Sequence, residues 1–143
     1  MDLEQFRERA AGEHGLVVVS TTRGDGSVQS SVVNAGVMAH PGTGTPIVAL
    51  VAAGGSVKLR NLRARPWITL TARTGWRWTT VEGSTEIAGP DDALPAVAEV
   101  PTLLRDVFTA AGGTHDDWAE YDAVMARERR AAVLVTPTRV YGV

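Results

Sequence analysis

Short reversals between runs of β-branched residues constrain the fold of this chain more than any other feature. Residues 16–22 form a predicted first strand, and the glycine-rich stretch 23–26 has the backbone freedom of a tight hairpin before a second strand over 27–38. A reversal rich in proline and glycine at 40–46 leads to a third strand at 47–52. Connections this short join antiparallel neighbours, so the sequence predicts an antiparallel meander.

The rest of the chain alternates between short helical and strand-like patterns. Asp91 and Asp92 precede one helical pattern, where carboxylates suit the positive end of the helix dipole. The further predicted elements are an amphipathic helix over 2–11, a short helix over 57–63 with Ser56 as N-cap, strands over 67–73 and 76–88, helices around 92–108 and 116–127, and a last strand over 131–143. The prediction is a mainly β domain, 1–143, with about six antiparallel strands in a barrel-like sheet and a few short helices.

Composition excludes several classes of protein. The chain has 143 residues, which suffices for one core and leaves little for a second. It has no cysteine, which excludes disulfides, zinc–thiolate sites and iron–sulfur clusters. A net charge of −2 argues against a nucleic-acid or membrane-surface protein. The apolar runs are too short to span a bilayer, and no export signal is apparent, so the expected location is the cytoplasm.

A local excess of basic residues is the first indication of an anionic ligand. A glycine turn, Gly54-Gly55-Ser56, precedes it and opens the short helix, where unpaired backbone N–H groups suit a phosphate or carboxylate. The alternative is a plain helix cap followed by a solvated basic face. The basic residues, with no acidic residue among them, are Lys58, Arg60, Arg63, Arg65, Arg73 and Arg77.

Two tryptophans and three small polar residues are further candidates. Trp76 and Trp78 share the parity of one predicted strand, so both rings would lie on one face of the sheet. They could fill a core or a dimer interface, or Trp76 could stack on a flat heteroaromatic ring. The predicted second strand contains three small polar residues, Ser30, Ser31 and Asn34. Because Ser31 and Asn34 have opposite parity, only a bulge or a strand end would bring both to one ligand.

Hydrolytic and metal chemistry find little support in the sequence. The three histidines, His14, His40 and His115, lie in predicted loops or at element ends without metal-ligand spacing, and each is predicted to be a surface residue. No GxSxG elbow, P-loop or GxGxxG motif is present. No metal site is therefore predicted.

Several segments together resemble a known family. Residues 56–66 contain the pattern K-x-R-N-L-x-x-x-P, and Gly75-Trp76-Arg77-Trp78 follows before Val81-Glu82-Gly83. The segments 115–121 and 139–142 add to the likeness, which covers nearly the whole chain. The sequence resembles the pyridoxamine-phosphate-oxidase-like split barrels. Within them it is most similar to the B group of F420-dependent flavin/deazaflavin oxidoreductases.

The resemblance implies a homodimer with a cofactor groove at the interface between its two barrels. By position, Lys58 and Arg60 would hold the cofactor phosphate, Asn61 would support the loop, and Ser31 and Asn34 would approach the deazaflavin ring. Many relatives have a basic residue where this chain has Ser56, a loss of about 1.5–3 kcal/mol of binding if nothing replaces it. The predicted cofactor-binding set is Ser31, Asn34, Ser56, Lys58, Leu59, Arg60, Asn61, Trp76, Arg77 and Trp78.

The activity that the resemblance implies is hydride transfer from reduced F420 to an electron-poor double bond of a small molecule. Tyr141, Tyr121 or solvent could supply the proton, and no catalytic residue is assigned. Two alternatives stay open. One is the same fold with FMN, acting as an oxidase or reductase, and the other is a non-catalytic carrier of F420 or haem. The poly-glutamate tail of F420 needs a basic groove, which the segment from Lys58 to Arg77 would supply.

Overall fold

A computed structural model describes all 143 residues, and in it six antiparallel strands close into a barrel in the order β1-β2-β3-β6-β5-β4. Four short helices pack around the barrel. The strands are β1 (Leu16–Thr22), β2 (Val28–Ala39), β3 (Pro46–Ala52), β4 (Trp67–Thr74), β5 (Arg77–Ala88) and β6 (Ala131–Gly142), and the helices are α1 (Leu3–Ala11), α2 (Val57–Ala64), α3 (Val100–Ala110) and α4 (Trp118–Arg127). The predicted antiparallel barrel with short helices is confirmed.

Alternation along the strands places the main core inside the barrel. In β1, Val17 and Val19 are buried while Val18 between them is exposed on the outer face. Phe6 of α1 and Leu59 of α2 are completely buried in the same core. The two helices therefore contribute to the barrel core as well as covering it.

Strands β3 and β6 are buried on both faces, unlike β1. Their inner residues join the barrel core, and their outer residues, such as Ile47 and Leu134, pack with Leu103, Leu104 and Val107 of α3. The helices inserted before β6 thus cover one side of the barrel, including the second half of β2, and leave the outer face of β1 and of the first half of β2 open. None of the helices is long and apolar enough to span a bilayer.

Glycine is required where β5 bends against β6. The pairing register shifts between Glu82 and Gly83, as at a β-bulge. A Cβ on Gly83 would lie 2.1 Å from the carbonyl oxygen of Thr136, which is far inside van der Waals contact. The bulge lets the long strand β5 curve around the closed barrel.

The predicted helix over 92–108 begins later than expected, at Val100. Asp92 forms a bidentate ion pair with Arg63, with N–O distances of 2.7 and 2.9 Å, and Asp91 pairs with Arg129. Pro95 also lacks the N–H that a helix interior uses. The prediction that this acidic pair stabilises a helix N-terminus is therefore wrong, because tertiary ion pairs hold both carboxylates.

The prediction that His40 is a surface residue is also wrong. Its ring is buried, and Nδ1 accepts the backbone N–H groups of Gly42 and Thr43 at 3.0 and 3.2 Å. Because Nδ1 accepts, the ring proton is on Nε2, which donates to the Glu86 carboxylate at 2.7 Å. His40 thereby organises the β2–β3 reversal from within.

Candidate functional site

A pocket of about 560 Å³ brings together three of the predicted cofactor-binding residues. It lies where β2 and the end of β3 meet the N-terminus of α2, and α3 and α4 form its far wall. Asn34, Ser56 and Lys58 line it, and its volume is typical of small-molecule sites. The other lining residues are Val32, Val33, Val51, Ala52, Ala53, Val107, Phe108, Ala111, Tyr121, Val124, Met125, Glu128 and Arg130.

The glycine turn beside the pocket is held by the connection between α4 and β6. The N–H of Gly54 donates to the carbonyl oxygen of Glu128 at 3.1 Å. A Cβ on Gly54 would lie 2.6 Å from the carbonyl oxygen of Arg129, so only glycine allows this approach. Ser56 caps α2 as predicted, with its Oγ accepting the N–H of Leu59 at 3.4 Å.

Lys58 is a partly buried cation without a hydrogen-bond or salt-bridge partner, and it is the only lysine in the chain. Burial lowers the pKa of its ammonium group, and the positive charge of Arg130 lowers it further. A partly buried ammonium without an acidic partner is unfavourable in the free protein. Its position in a pocket therefore favours binding of an anion that replaces the missing partner.

Much of the basic excess in the sequence is neutralised or committed elsewhere. Arg63 is paired with Asp92, which lies beyond the β4–β5 hairpin in the sequence. Arg65 donates to the carbonyl oxygen of Thr22 at 2.8 Å, and Arg73 donates to that of Gly75 at 2.9 Å. The side chains of Lys58, Arg60 and Arg77 make no hydrogen bond, and of these three only Lys58 lines the pocket.

The remaining predicted residues of α2 serve mainly to fix the helix. Leu59 is completely buried in the barrel core, and the Asn61 amide donates to the Thr21 hydroxyl at 3.0 Å, joining α2 to β1. Asn61 therefore holds α2 against β1. Arg60 is exposed and lies two residues from Lys58, a spacing that directs side chains to different sides of a helix.

The polar residues of β2 lie on opposite faces of the strand. The register with β1 is regular, with Ser31 opposite Val19 and Asn34 opposite Leu16, so no bulge brings the two together. Ser31 faces the barrel interior, and its Oγ is buried without a hydrogen-bond partner. The Asn34 amide donates to the carbonyl oxygen of His14 at 2.8 Å, and only Asn34 lines the pocket.

The tryptophan segment lies outside this pocket. Trp76 is in the β4–β5 turn rather than in β5, so the predicted shared face with Trp78 does not form, and its side chain is 95% exposed. Trp78 is partly buried and meets the Tyr141 ring edge-to-face at 6.0 Å. Arg77 is exposed at the start of β5.

Both tyrosines considered as proton donors have hydroxyl groups engaged by the protein. Tyr121 lines the pocket and donates to the carbonyl oxygen of Leu104 at 3.0 Å, while burial raises its pKa. Tyr141 bonds to the Glu82 carboxylate, which raises the pKa of Tyr141. Raised pKa values make both hydroxyls weaker acids, which favours solvent as the proton source.

A second cavity, of about 540 Å³, lies between α1, β2 and α3 and contains none of the predicted cofactor-binding residues. Its one arginine, Arg7, pairs with Glu4 at 2.6 Å, and Glu8 adds a further negative charge. An anionic ligand therefore suits the pocket beside Lys58 better.

The sequence did not predict that α3 and α4 form one wall of the pocket or that Arg130 lies in it. Phe108 and Met125 line the apolar side of the pocket, and Arg130 lies near Lys58. The helical patterns were visible in the sequence, but no spacing rule indicates which strand face inserted helices will cover. Arg130 is therefore close to Lys58 only through tertiary structure.

The unpartnered charge leads to a prediction about stability. Because the folded state lowers the pKa of Lys58, its charge penalises folding fully below that lowered pKa. The penalty shrinks as pH rises above the lowered pKa and is gone above the ordinary lysine pKa. Lys58→Met removes the charge and keeps an unbranched side chain. We expect the ligand-free variant to be more stable at neutral pH, by up to about 1 kcal/mol. Thermal melts of wild type and variant at neutral pH would measure this, and a melting temperature well below that of wild type would contradict it.

Comparison with known proteins identifies the architecture. No protein-family model matches the sequence. An F420 reductase matches with a TM-score of 0.64 and 17% identity, covering 96% of this chain and 94% of the reductase. A pyridoxamine 5'-phosphate oxidase-related, FMN-binding protein from Nostoc punctiforme has a TM-score of 0.63 at 13% identity, covering 96% of this chain and 78% of that protein. HutZ, a haem storage protein from Vibrio cholerae, has a TM-score of 0.62 at 12% identity, covering 98% of this chain and 91% of HutZ.

The closed six-stranded barrel with four short helices is thus a pyridoxamine-phosphate-oxidase-like split barrel, as the sequence predicted. Proteins of this architecture include F420, FMN and haem proteins. At these identities the similarity establishes the fold alone, so the choice of ligand depends on the residues of the pocket.

Proposed function

We propose that this protein is a coenzyme F420-dependent reductase that works as a homodimer. The observation that carries the proposal is the pocket beside the glycine turn, in which Lys58 is a partly buried cation without an acidic partner. The motif resemblance around Lys58 and the fold likeness to an F420 reductase support the same assignment.

The residues of the pocket fit a cofactor with an anionic tail and a flat, partly apolar body. Lys58 would hold the phosphate, and the start of α2 adds the positive end of a helix dipole. Apolar surface comes from Phe108 and Met125 and from four valines, Val32, Val51, Val107 and Val124. A ring system could therefore be excluded from water on this side while its tail is bound by charge.

Bound F420 would supply the hydride, and the chain would supply binding, orientation and exclusion of water. Lys58 would fix the tail, and Asn34, held by its bond to the His14 carbonyl, offers its remaining amide atoms to the ring. The proposed substrate is a hydrophobic or conjugated molecule with an electron-poor double bond. Solvent would deliver the proton, because neither tyrosine is a free donor.

A second copy of the chain is part of the proposal. The outer face of β1 and β2 exposes Leu16, Val18 and Val32 at 42%, 45% and 62%, and Val18 pairs directly with Val32 across the strands. Trp76 is almost fully exposed in one chain. A contiguous apolar face and an exposed tryptophan suit an interface, and the tryptophan segment would then complete the groove from the second copy.

An anaerobic turnover assay tests the activity. Reduced F420 is mixed with the protein and a panel of cyclic and acyclic enones, and its oxidation is followed by the return of the absorbance of the oxidised form. We expect protein-dependent oxidation with at least one enone, and slower oxidation with Lys58→Met at subsaturating cofactor. Oxidation no faster than without protein, for every enone, would contradict the reductase assignment and leave a carrier role.

A further inference from the structure

We propose that Arg130 is a further anion-binding residue of this pocket and that it acts with Lys58 as a pair of cations. The pair would select ligands that carry a phosphate group, alone or beside further negative charge. The inference deepens the proposed function and rests on it for the identity of the cofactor, but the anion site can be tested without any cofactor.

The connection between α4 and β6 holds Arg130 at the pocket. Gly54 and Glu128 are joined by the backbone hydrogen bond described above, and Arg129 has a left-handed backbone with φ of 50°. Arg129 is anchored by its ion pair to Asp91. The glycine turn before Lys58 therefore packs directly against Arg129, the residue before Arg130. As a result, the side chains of Lys58 and Arg130 both reach the same pocket.

The guanidinium of Arg130 has donors available for a ligand. Its Nε donates to the Glu128 carboxylate at 2.8 Å, and its two terminal nitrogens make no hydrogen bond. A guanidinium held at Nε presents a fixed planar edge, which suits the bidentate recognition of phosphate. Glu128 would thus act as a positioning residue for Arg130.

Charge in the pocket also supports a pair of cations. The titratable groups that line the pocket are Lys58, Arg130, Glu128 and Tyr121, and Glu128 pairs with Arg130 rather than with Lys58. The positive charge of Arg130 is close enough to lower the pKa of Lys58. An anion bound between the two would supply the counterion that Lys58 lacks and would add a second one for Arg130 beside Glu128.

The single lysine makes the test specific. Reductive methylation with ¹³C-formaldehyde labels Lys58 as the only lysine, and the N-terminal amine gives a separate signal. Inorganic phosphate is titrated into labelled wild type, Arg130→Gln and Arg127→Gln while the Lys58 methyl resonance is followed. Arg127 is an exposed arginine without an ion pair at the end of α4, so its substitution removes the same charge three residues away.

We expect phosphate to shift the Lys58 resonance saturably in wild type and to raise the pKa of Lys58. Arg130→Gln should weaken phosphate binding by about tenfold or more, since it removes a charge-assisted contact. It should also raise the pKa of Lys58 in the free protein, a change that a purely structural role would not produce. Arg127→Gln should stay within about twofold of wild type, as its guanidinium lies outside the pocket.

Phosphate affinity of Arg130→Gln equal to that of wild type would overturn the inference, as would no phosphate response in wild type. The two proposals fail separately in this design. If phosphate binding depends on Arg130 while F420 does not bind, the anion site stands and the cofactor assignment fails. If F420 binds while Arg130→Gln leaves phosphate affinity unchanged, the cofactor assignment stands and the proposed role of Arg130 fails.

Discussion

Lys58→Met is expected to weaken F420 binding by about 10- to 150-fold. The substitution removes the proposed charge-assisted hydrogen bond to the cofactor phosphate, worth about 1.5–3 kcal/mol, and each 1.4 kcal/mol corresponds to about tenfold in affinity. The same variant is expected to be more stable than wild type without ligand. Loss of binding together with increased stability would mark Lys58 as a functional residue, because damage to the fold would lower both. Fluorescence titration with F420 measures the affinity.

Arg127→Gln is the matched control for this titration. It lowers the net charge by the same amount at an exposed position outside this pocket, and we expect its affinity to remain within about twofold of wild type. Equal affinities for Lys58→Met and wild type would refute the phosphate role of Lys58.

Val18→Glu is expected to convert the proposed dimer to a monomer. The substitution places a charge at the centre of the exposed apolar face of β1 and β2, and two such charges would meet across a symmetric interface. Losing the burial of one valine on each chain, about 1.5 kcal/mol each, raises the dissociation constant by about a hundredfold even before repulsion is counted. Sedimentation velocity at micromolar protein concentration measures the change.

Ala123→Glu introduces the same charge on the exposed side of α4 and should leave the oligomeric state unchanged. If the groove is completed by a second chain, Val18→Glu should also lose F420 affinity although Val18 does not line the pocket. A Val18→Glu protein that remains dimeric would place the interface elsewhere.

The strands were predictable from the sequence because their signals are local. β-branched runs and glycine turns gave β1 to within its observed bounds, Leu16–Thr22, and the cap of α2 at Ser56 followed from a side chain that accepts a nearby N–H. The closed barrel required the resemblance, since closure depends on β1 pairing with β4 far along the chain.

The site was only partly predictable because its charges are balanced across the fold. The segment from Lys58 to Arg77 is strongly basic in sequence. In the structure, however, Arg63 forms an ion pair with Asp92 and Arg65 donates to the carbonyl oxygen of Thr22. Arg130 carries no local signal, as its proximity to Lys58 comes from the packing of the α4–β6 connection on Gly54. Ion pairs between distant segments similarly explain why Asp91 and Asp92 did not start a helix.

Direct titration of the wild-type protein with F420, FMN and haem tests the central claim most directly. Each ligand is added separately, and binding is followed by its own fluorescence or absorbance. The account predicts saturable F420 binding that is tighter than that of FMN or haem and that weakens in Lys58→Met. Submicromolar FMN binding with no response to F420 would contradict it.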